Sequence, residues 1–513
     1  MQNRILKIFS AFLALLITAT VAGCGSQKTS SENTVSSKPS QTTESTPAAK
    51  LTILNDNAVE ENFIGFGGIY MCYNYIADNA EKYTDEMMQI EMDRLADMKV
   101  SVVRTQYRFD YAFDFDKKQW NWESENMKGF YTFMDEMQKR GISVAIQIGY
   151  FDNDVLKEGN PFDVLSGGNT EKKYSLYGEW VAESVKQIRA HGAKNLDYLV
   201  AFTEPCQPWT EKEKTVKKAA EKMAVWKKSL LAADSALKKS GIRDTIKIIG
   251  PNAANNQFLL DYAVQDKEVS AALDVFSLHT YVTGATMYDD TYYQWYEDFM
   301  QPMKEAVKET GKEIWMDEWN FKLSNDPEET RLDNTWLGTQ NAIGMIAGMN
   351  AGLQTMLRWT LADQKWPYEN QTAGDGWQDG VQRCGITPNL LTSSIPRPAY
   401  YAYSLISKYT NGKNVKVYKG NGREQVYLTA CQLDDGNWTV IVAKSSIVEK
   451  EFNISFKKEL GVSLYRHTYN PQTVKPTPTA HIADPDKGFS NVKSSLSDKI
   501  PAGGVYVYTS VKD

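Results

Sequence analysis

Short β-branched apolar runs alternate with amphipathic stretches from residue 61 to about residue 410, and this alternation restricts the fold more than any other feature. Repeated strand–helix units require a parallel sheet, because parallel strands are joined by crossover connections. The predicted strands cover residues 64–70, 100–107, 143–150, 196–202, 245–250, 273–281, 313–316 and 353–360. Eight such units indicate an α/β fold that closes into a (β/α)8 TIM barrel over 61–411. An open doubly wound sheet is the rival, but no Gly-x-Gly-x-x-Gly turn opens a helix.

The pattern changes after Gly412, where short strands are separated by Gly, Asn and Asp turns. The predicted strands cover residues 415–418, 425–431, 438–444, 451–456 and 505–509. Residues 412–513 are therefore predicted to form an antiparallel β-sandwich. Residues 51–60 include a strand that could join this domain from the other end of the chain.

The N-terminus is predicted to be a targeting segment that does not belong to the folded domain. Arg4 and Lys7 precede an apolar run that ends at Val21-Ala22-Gly23-Cys24. This ending resembles the lipobox of bacterial lipoproteins, which implies a signal peptide over 1–23, cleavage before Cys24 and acylation of that residue. The alternative is an ordinary secretory signal with a coincidental cysteine. Residues 24–50 are rich in Ser, Thr, Gln and Pro and are predicted to form a disordered tether. The expected location is extracytoplasmic, at the bacterial cell membrane or surface, with membrane contact through the lipid anchor only.

Charge and cysteine usage narrow the possible partners. A net charge of −7 argues against a nucleic-acid partner, which needs a clustered basic surface. Cys72, Cys206, Cys384 and Cys431 match no metal-binding spacing, and neither do the four histidines, so no metal or cofactor is predicted. Unpaired thiols are the default for these cysteines, with a pair between Cys206 and Cys72 or Cys384 as the alternative.

Two carboxylate motifs contain the candidate catalytic residues. Phe202-Thr203-Glu204-Pro205 and Trp315-Met316-Asp317-Glu318-Trp319-Asn320 each close an apolar strand-like run. Two carboxylates carried to one end of a scaffold by different strands suit glycosidic bond cleavage, in which one group protonates the leaving oxygen and the other attacks the anomeric carbon. The pair therefore predicts a retaining glycosidase with a carbohydrate substrate.

Polar and aromatic residues fall at the carboxyl ends of the predicted strands, where (β/α)8 enzymes place their active sites. These residues are Arg104, Gln147, Tyr150, Glu204, Asn252, His279, Tyr281, Glu318 and Trp359. Any one of them could be structural, such as a salt-bridge partner. Their convergence on one rim is harder to explain that way and predicts a catalytic and substrate-binding site.

The order of these features resembles clan A of the glycoside hydrolases, with a layout similar to families 30 and 39. The resemblance is carried by Glu204 and Glu318 at the ends of strands 4 and 7, by the Gly65-Phe66-Gly67-Gly68 opening, and by Arg397-Pro398-Ala399-Tyr400 before the last helix. It implies that Glu204 is the general acid/base and Glu318 the nucleophile. It also implies that Tyr281 orients Glu318 and that Arg104 keeps the Glu318 carboxylate ionised. Trp359 is expected to form the floor of the −1 subsite.

Two residues beside the glutamates need separate treatment. Clan A usually has Asn before the acid/base, whereas this chain has Thr203, whose hydroxyl cannot supply the full donor and acceptor set of an amide. Either the substrate differs at its 2-position, another residue such as Asn252 takes over the contact with the sugar 2-hydroxyl, or activity is weakened. Asp317 neighbours Glu318 on a strand, where successive side chains point to opposite faces, so it is expected to form a buried structural ion pair.

The connection over 362–396 is long enough to be functional. Its Trp366 and Trp377 are predicted to wall a sugar-binding cleft. Two alternatives to hydrolysis stay open at this point: a non-catalytic glycan-binding lipoprotein on a glycosidase scaffold, and transglycosylation by the same residues. Sugar, linkage and endo or exo action cannot be read from these motifs.

Overall fold

The computed structural model describes most of the chain beyond the first 46 residues. The described residues are 47–148, 155–201, 203–205, 216–254, 257–282, 291–321, 331–367, 380–422 and 424–512. Residues Ala48–Gln207 and Lys222–Asp513 belong to one compact unit. Within the described part, no helix has the length and apolar character needed to cross a bilayer.

Eight parallel strands close into a barrel, which confirms the predicted TIM-barrel fold. Numbered as barrel strands 1 to 8 in chain order, they are Gly67–Ile69, Val102–Tyr107, Ser143–Ile148, Leu196–Val200, Lys247–Ala254, Val275–Val282, Glu313–Phe321 and Met356–Arg358. Each strand pairs with its neighbour in the series, and strand 8 pairs with strand 1 through Leu357 and Gly67. Their carboxyl ends therefore surround one rim.

Helices follow the barrel strands, in agreement with the predicted strand–helix alternation. They are Ala77–Ala80, Asp85–Asp97, Glu125–Lys139, Pro161–Ser166, Thr170–Ala190, Val216–Lys239, Gln257–Gln265, Lys267–Ala272, Thr291–Lys308, Trp336–Ala351 and Pro398–Thr410. The helix Glu125–Lys139 shows why they form. Ser124 accepts a hydrogen bond from the backbone of Met127 at its start, an apolar stripe faces the barrel, and Gly141 follows its end with φ 67°.

Barrel strand 1 is held close to both neighbours by glycine. A Cβ on Gly67 would lie 2.1 Å from the carbonyl oxygen of Val102, and one on Gly68 would lie 2.6 Å from the Leu361 side chain. Close backbone packing thus explains these two glycines. The strand covers only Gly67–Ile69, whereas the sequence predicted a strand over residues 64–70.

Barrel strand 7 contains an irregularity that changes the expected direction of Asp317. Leu278 of strand 6 pairs with Met316, whereas the next residue, His279, pairs with Glu318. Asp317 is the extra residue of a β-bulge, which interrupts strict alternation. The expectation that Asp317 faces away from Glu318 is therefore wrong, although the side chain is buried and ion-paired as predicted.

The second domain is a curled ten-stranded sheet with its own apolar core, and the predicted β-sandwich architecture is confirmed. In hydrogen-bonded order the strands are Lys487–Val492, Val462–Tyr469, Val505–Thr509, Trp438–Lys444, Val426–Gln432, Val415–Asn421, Ala49–Ile53, Lys450–Phe456 and Ser495–Ile500, with Glu60–Phe63 beside Val415–Asn421. Pairing is antiparallel except between Ala49–Ile53 and Lys450–Phe456, which run parallel. Three of these strands, in the range 462–500, were not predicted.

The barrel and the sandwich share a packed boundary. The helix Trp336–Ala351 is buried on nearly all sides because it lies between the barrel and the strands of the second domain. Asn350 in this helix hydrogen-bonds the backbone of Gly420 and Leu428 from two sandwich strands. The same apolar core continues from the barrel onto one face of the sandwich, including Ile441 and Val507.

A buried carboxyl group fixes the chain just after barrel strand 1. Glu91 accepts hydrogen bonds from the Tyr70 hydroxyl and from Asn74 Nδ2, the latter at 2.8 Å. Burial raises the pKa of Glu91 to about 7, although these donors favour the charged form. The protonated group therefore contributes stability in full below about pH 4.5, and that stability is lost as the pH rises through about 7.

Replacing Glu91 by Gln should remove this pH dependence, because the amide keeps an acceptor for Tyr70 and cannot ionise. Between about pH 4 and about pH 8 the wild type should lose about 3 kcal/mol more unfolding free energy than the variant. Denaturant unfolding at several pH values measures the difference. Glu86→Gln, at an exposed position of the same helix, is the matched control. Identical pH profiles for wild type and Glu91→Gln would contradict the assignment.

Candidate active site

Arg104 lies at the centre of the rim and joins residues from four barrel strands. Its Nη1 donates to the Asp317 carbonyl oxygen at 3.1 Å, to Asp317 Oδ2 at 3.2 Å and to Glu318 Oε2 at 3.3 Å. Its Nη2 donates to Gln147 Oε1 at 2.6 Å and to Thr203 Oγ1 at 2.8 Å. A buried guanidinium needs such partners, since an unpaired buried charge is costly. The predicted rim residues of strands 2, 3, 4 and 7 are thus brought together.

His279 connects the two glutamates. Its Nδ1 lies 2.8 Å from Glu204 Oε1 and 3.3 Å from Glu318 Oε2. Its Nε2 lies 3.3 Å from Asp317 Oδ1 and 3.2 Å from Arg104 Nη1. The ring is fully buried, so in this state it contacts protein side chains and is not open to solvent.

The two glutamates face each other across a short gap. One oxygen of each carboxylate and one ring nitrogen of His279 all lie within 4.8 Å of one another. The side chain of Glu204 is 12 % exposed and that of Glu318 is 8 % exposed. Glu204 adopts a left-handed backbone with φ 47°, an uncommon conformation for a residue with a Cβ. Such backbone outliers persist only where the surroundings enforce them, and they cluster at functional sites.

Tyr281 and Asn252 hold the nucleophile candidate and its neighbour. The Tyr281 hydroxyl donates to Glu318 Oε1. Asn252 Nδ2 donates to Asp317 Oδ2 and reaches Ser277 Oγ at 3.1 Å. Asn252 is also a left-handed residue, with φ 55°. The amide proposed from sequence as a sugar ligand is therefore buried against Asp317 in this state.

Charge in the site is nearly balanced among buried groups. Burial alone would lower the pKa of His279, but the negative charges of Glu318 and Asp317 outweigh it and raise that pKa to about 10. Burial raises the pKa of Glu318, while His279, Arg104 and the Tyr281 hydroxyl favour its ionised form. An imidazolium at His279 needs negative charge beside it, and the carboxylates of Asp317 and Glu318 supply that charge in the resting site.

The cluster of Glu204, His279 and Glu318 has the ligand types of a metal site. A metal-bound histidine must be neutral, because the metal takes the lone pair that a proton would occupy. The raised pKa of His279 and the adjacent Arg104 guanidinium oppose that state. Glu204, His279 and Glu318 are therefore better suited to proton transfer and to attack by a carboxylate than to metal binding.

The remaining predicted site residues differ in how well they can be located. Trp359 follows barrel strand 8, and its carbonyl oxygen accepts a hydrogen bond from Asn320 Nδ2. Trp366 is buried, and its ring lies 5.0 Å from that of Tyr73, so it forms part of the packed rim. Tyr150, Trp377 and the lipidation candidate Cys24 lie outside the described residues. Their roles stay predictions.

Two functional features were missed by sequence reasoning. The first is the participation of Asp317 in the site, which depends on a bulge that leaves no mark in residue type. The second is Arg358 at the end of barrel strand 8. Its buried guanidinium donates to the carbonyl oxygens of Thr360 at 2.7 Å and Cys384 at 3.2 Å, and so holds the chain that follows the strand.

The cysteines follow the default prediction where they are described. Cys72, Cys384 and Cys431 are buried free thiols. Cys206 lies outside the described residues. Burial raises the pKa of Cys72 to about 11, which makes it an inert structural thiol.

No protein-family model matches the chain, and a search of curated proteins found no match either. Solved structures do match. A GH30 endoxylanase from Clostridium papyrosolvens C71 aligns with a TM-score of 0.60 at 14 % identity, covering 90 % of this chain and 100 % of that one. A monomeric β-xylosidase from Caulobacter crescentus CB15 aligns with a TM-score of 0.59 at 12 % identity, covering 90 % and 99 %. The endo-β1,6-glucanase BT3312 gives a TM-score of 0.58 at 14 % identity, covering 91 % and 96 %. The fold of this chain is thus the barrel-and-sandwich layout of clan A, GH30-like glycoside hydrolases.

Proposed function

We propose that the protein is a retaining glycoside hydrolase that cleaves β-glycosidic bonds of a polysaccharide or oligosaccharide, with Glu204 as acid/base and Glu318 as nucleophile. The observation that carries the proposal is the short gap between the two carboxylates, whose nearest oxygens lie within 4.8 Å. Retaining enzymes hold their carboxyl groups about 5–5.5 Å apart, whereas inverting enzymes leave about 6.5–9.5 Å for a water molecule. The separation supports retention.

In the first step, a carboxylate oxygen of Glu318 attacks the anomeric carbon and forms a glycosyl ester. The bond from that carbon to the leaving oxygen breaks, and Glu204 transfers its proton to this oxygen. Tyr281 donates to Glu318 Oε1 and Arg104 lies 3.3 Å from Oε2, so both groups orient the nucleophile and favour its anionic form.

In the second step, Glu204, now a carboxylate, takes a proton from a water molecule. The water oxygen attacks the anomeric carbon, the ester bond breaks, and Glu318 leaves as a carboxylate. His279 Nδ1 lies 2.8 Å from Glu204 Oε1 and so orients this carboxyl group. If a sugar hydroxyl replaces water, the same residues perform transglycosylation.

The substrate class rests on the fold neighbours and on the donors at the rim. The neighbours' names include xylanase, β-xylosidase and β1,6-glucanase, which supports a β-linked glycan of xylose or glucose type. Thr203 stands at the position where clan A enzymes usually have Asn. Its hydroxyl accepts a hydrogen bond from Arg104 at 2.8 Å, so it has limited capacity left for the sugar 2-hydroxyl.

Proton NMR of the first product formed tests the proposal. The protein is incubated with a panel of aryl β-glycosides, xylan and β1,6-glucan, and the anomeric signals are followed in real time. Retention predicts that the β-anomer appears first and then mutarotates. An α-anomer formed first would contradict the double displacement.

A non-catalytic glycan receptor is the second candidate, and the observation behind it is Thr203 in place of the usual Asn. Binding of a panel glycan without release of any reducing end would favour it. The two glutamates that face each other across a short gap favour the enzyme.

We also propose that the protein is an extracytoplasmic lipoprotein held at the bacterial membrane through Cys24. The Val21-Ala22-Gly23-Cys24 sequence and the polar stretch that follows support this location. Mass spectrometry of the mature N-terminal peptide should find a diacylglycerol-modified Cys24. An unmodified peptide cut at another position would contradict it.

A further inference from the structure

A short aromatic hairpin lies in the loop that follows barrel strand 2. Phe113–Asp114 pairs with Gln119–Trp120, with Phe113 opposite Trp120 and Asp114 opposite Gln119. The hairpin lies between barrel strand 2 and the helix Glu125–Lys139, and is therefore part of a loop on the face that carries Glu204 and Glu318. The mechanism proposed above makes no use of it.

The tip of the hairpin is built rigidly. Asp114 Oδ1 accepts hydrogen bonds from the backbone nitrogens of Asp116 at 3.1 Å and Lys117 at 3.0 Å. The Lys117 ammonium also pairs with Asp114 at 3.0 Å. Asx turns of this kind fix the backbone without help from a partner. Phe115 at the tip is thus presented in a defined position.

The base of the hairpin is fixed by stacked rings. The ring of Trp120 lies 6.0 Å from that of Trp180 and 5.9 Å from that of Trp122, nearly parallel to both. Trp180 belongs to the helix Thr170–Ala190, so the hairpin is tied to the barrel wall. Phe113 lies between this stack and the tip, with its ring 4.9 Å from that of Phe115.

Phe115 is the exception among the aromatic residues of this protein. Within the described part of the chain it is the one aromatic side chain that is exposed, at 46 %. The other aromatic side chains in the described ranges are buried or partly buried. An exposed ring on a rigid turn at the catalytic rim offers a flat apolar surface to a ligand.

We propose that Phe115 is the platform of a distal sugar subsite, on which one unit of a β-linked glycan chain stacks while the chain reaches the two glutamates. The inference rests on the proposed function and extends it to polymeric substrates. Sugar rings present an apolar C–H face that matches an aromatic face, and a preformed platform costs little ordering entropy on binding. Short substrates that occupy only the central subsite do not reach it.

The test compares Phe115→Ala with the wild type on polymeric and short substrates. With xylan or β1,6-glucan, whichever the wild type cleaves, the variant should raise KM roughly three- to tenfold, the range of one aromatic contact. With an aryl β-monoglycoside, kcat/KM should be unchanged. Phe115→Trp keeps an aromatic ring at this position and should leave the polymer KM near the wild-type value. Ile447→Ala, at an exposed position of the sandwich domain, is the matched control. Equal losses on both substrates, or no change on the polymer, would overturn the proposal.

Affinity electrophoresis separates this proposal from the proposed function. Wild type and Phe115→Ala are run through native gels containing xylan or β1,6-glucan. Retardation of the wild type that is weakened in Phe115→Ala supports the subsite even if no bond is cleaved. Equal retardation of the two proteins, or none of the wild type in either gel, would overturn it.

Discussion

Replacing Glu318 by Gln is expected to reduce turnover of an aryl β-glycoside to background, because an amide cannot form the glycosyl ester. The substitution keeps the shape of the side chain and an acceptor for the Tyr281 hydroxyl, so the fold should be retained. The measurement is kcat/KM, with the thermal midpoint as a check on folding. Glu313→Gln is the matched control, since it lies at the opposite end of the same strand and pairs with Lys247.

The outcome separates a nucleophile from a structural carboxylate. If Glu318 only paired with Arg104 and His279, the variant would lose stability and keep part of its rate. Wild-type kcat/KM in a well-folded Glu318→Gln protein would contradict the assignment. A loss of activity in the Glu313→Gln control of similar size would also do so.

Replacing Glu204 by Ala is expected to have an effect that depends on the leaving group. General acid catalysis contributes roughly 10²- to 10⁴-fold, and this contribution is needed only where the departing oxygen is basic. Turnover of an alkyl or sugar leaving group should therefore fall by about that factor, whereas formation of the glycosyl-enzyme from a dinitrophenyl glycoside should be nearly unaffected. Kinetics with a series of leaving groups measures the difference.

Added azide sharpens the same test. Azide needs no base, so in Glu204→Ala it should attack the glycosyl-enzyme and accelerate turnover, giving the β-glycosyl azide. In Glu318→Ala, azide should take the place of the missing carboxylate and give the α-glycosyl azide. An equal loss for all leaving groups in Glu204→Ala, or the opposite product from either variant, would contradict the two roles.

The barrel was predictable because its signals are local. Each apolar run that was identified became a strand or lies beside one. Residues close in sequence, Ser124 and Gly141, also mark the two ends of the helix Glu125–Lys139. Strands of the sandwich such as Ser495–Ile500 were missed because they are largely polar on the exposed side. Their pairing with distant strands, and not their own composition, makes them strands.

The arrangement of the site was predictable in position but not in detail. That Glu204 and Glu318 lie on one rim of the barrel follows from the topology. The bulge at Asp317 does not, because it arises from the register between strands 6 and 7. It brings a third carboxylate to Arg104 and His279. Burial lowers the pKa of His279, but the charges of Glu318 and Asp317 together outweigh this effect and raise that pKa to about 10. A fully buried bridging histidine was therefore found where a sugar ligand was expected, and its role in substrate binding stays a prediction.

The charges around Glu318 also change the role that was expected for Arg104. The resemblance to clan A implies that Arg104 keeps Glu318 ionised. Arg104 does lie 3.3 Å from Glu318, but burial raises the pKa of this carboxyl group, so the guanidinium acts against a desolvation cost and is aided by His279. The proposed nucleophile depends on both cations.

Trapping of the glycosyl-enzyme tests the central claim most directly. The protein is incubated with 2-deoxy-2-fluoro β-glycosides of xylose and glucose that carry a dinitrophenyl leaving group. The fluorine slows both steps, and the activated leaving group keeps the first step fast enough for the glycosyl-enzyme to accumulate. The labelled peptide is identified by mass spectrometry. The account predicts one sugar per chain, attached to Glu318 and released on addition of an acceptor. A label on another residue, or a substrate that is hydrolysed with the fluorosugar never attached, would contradict it.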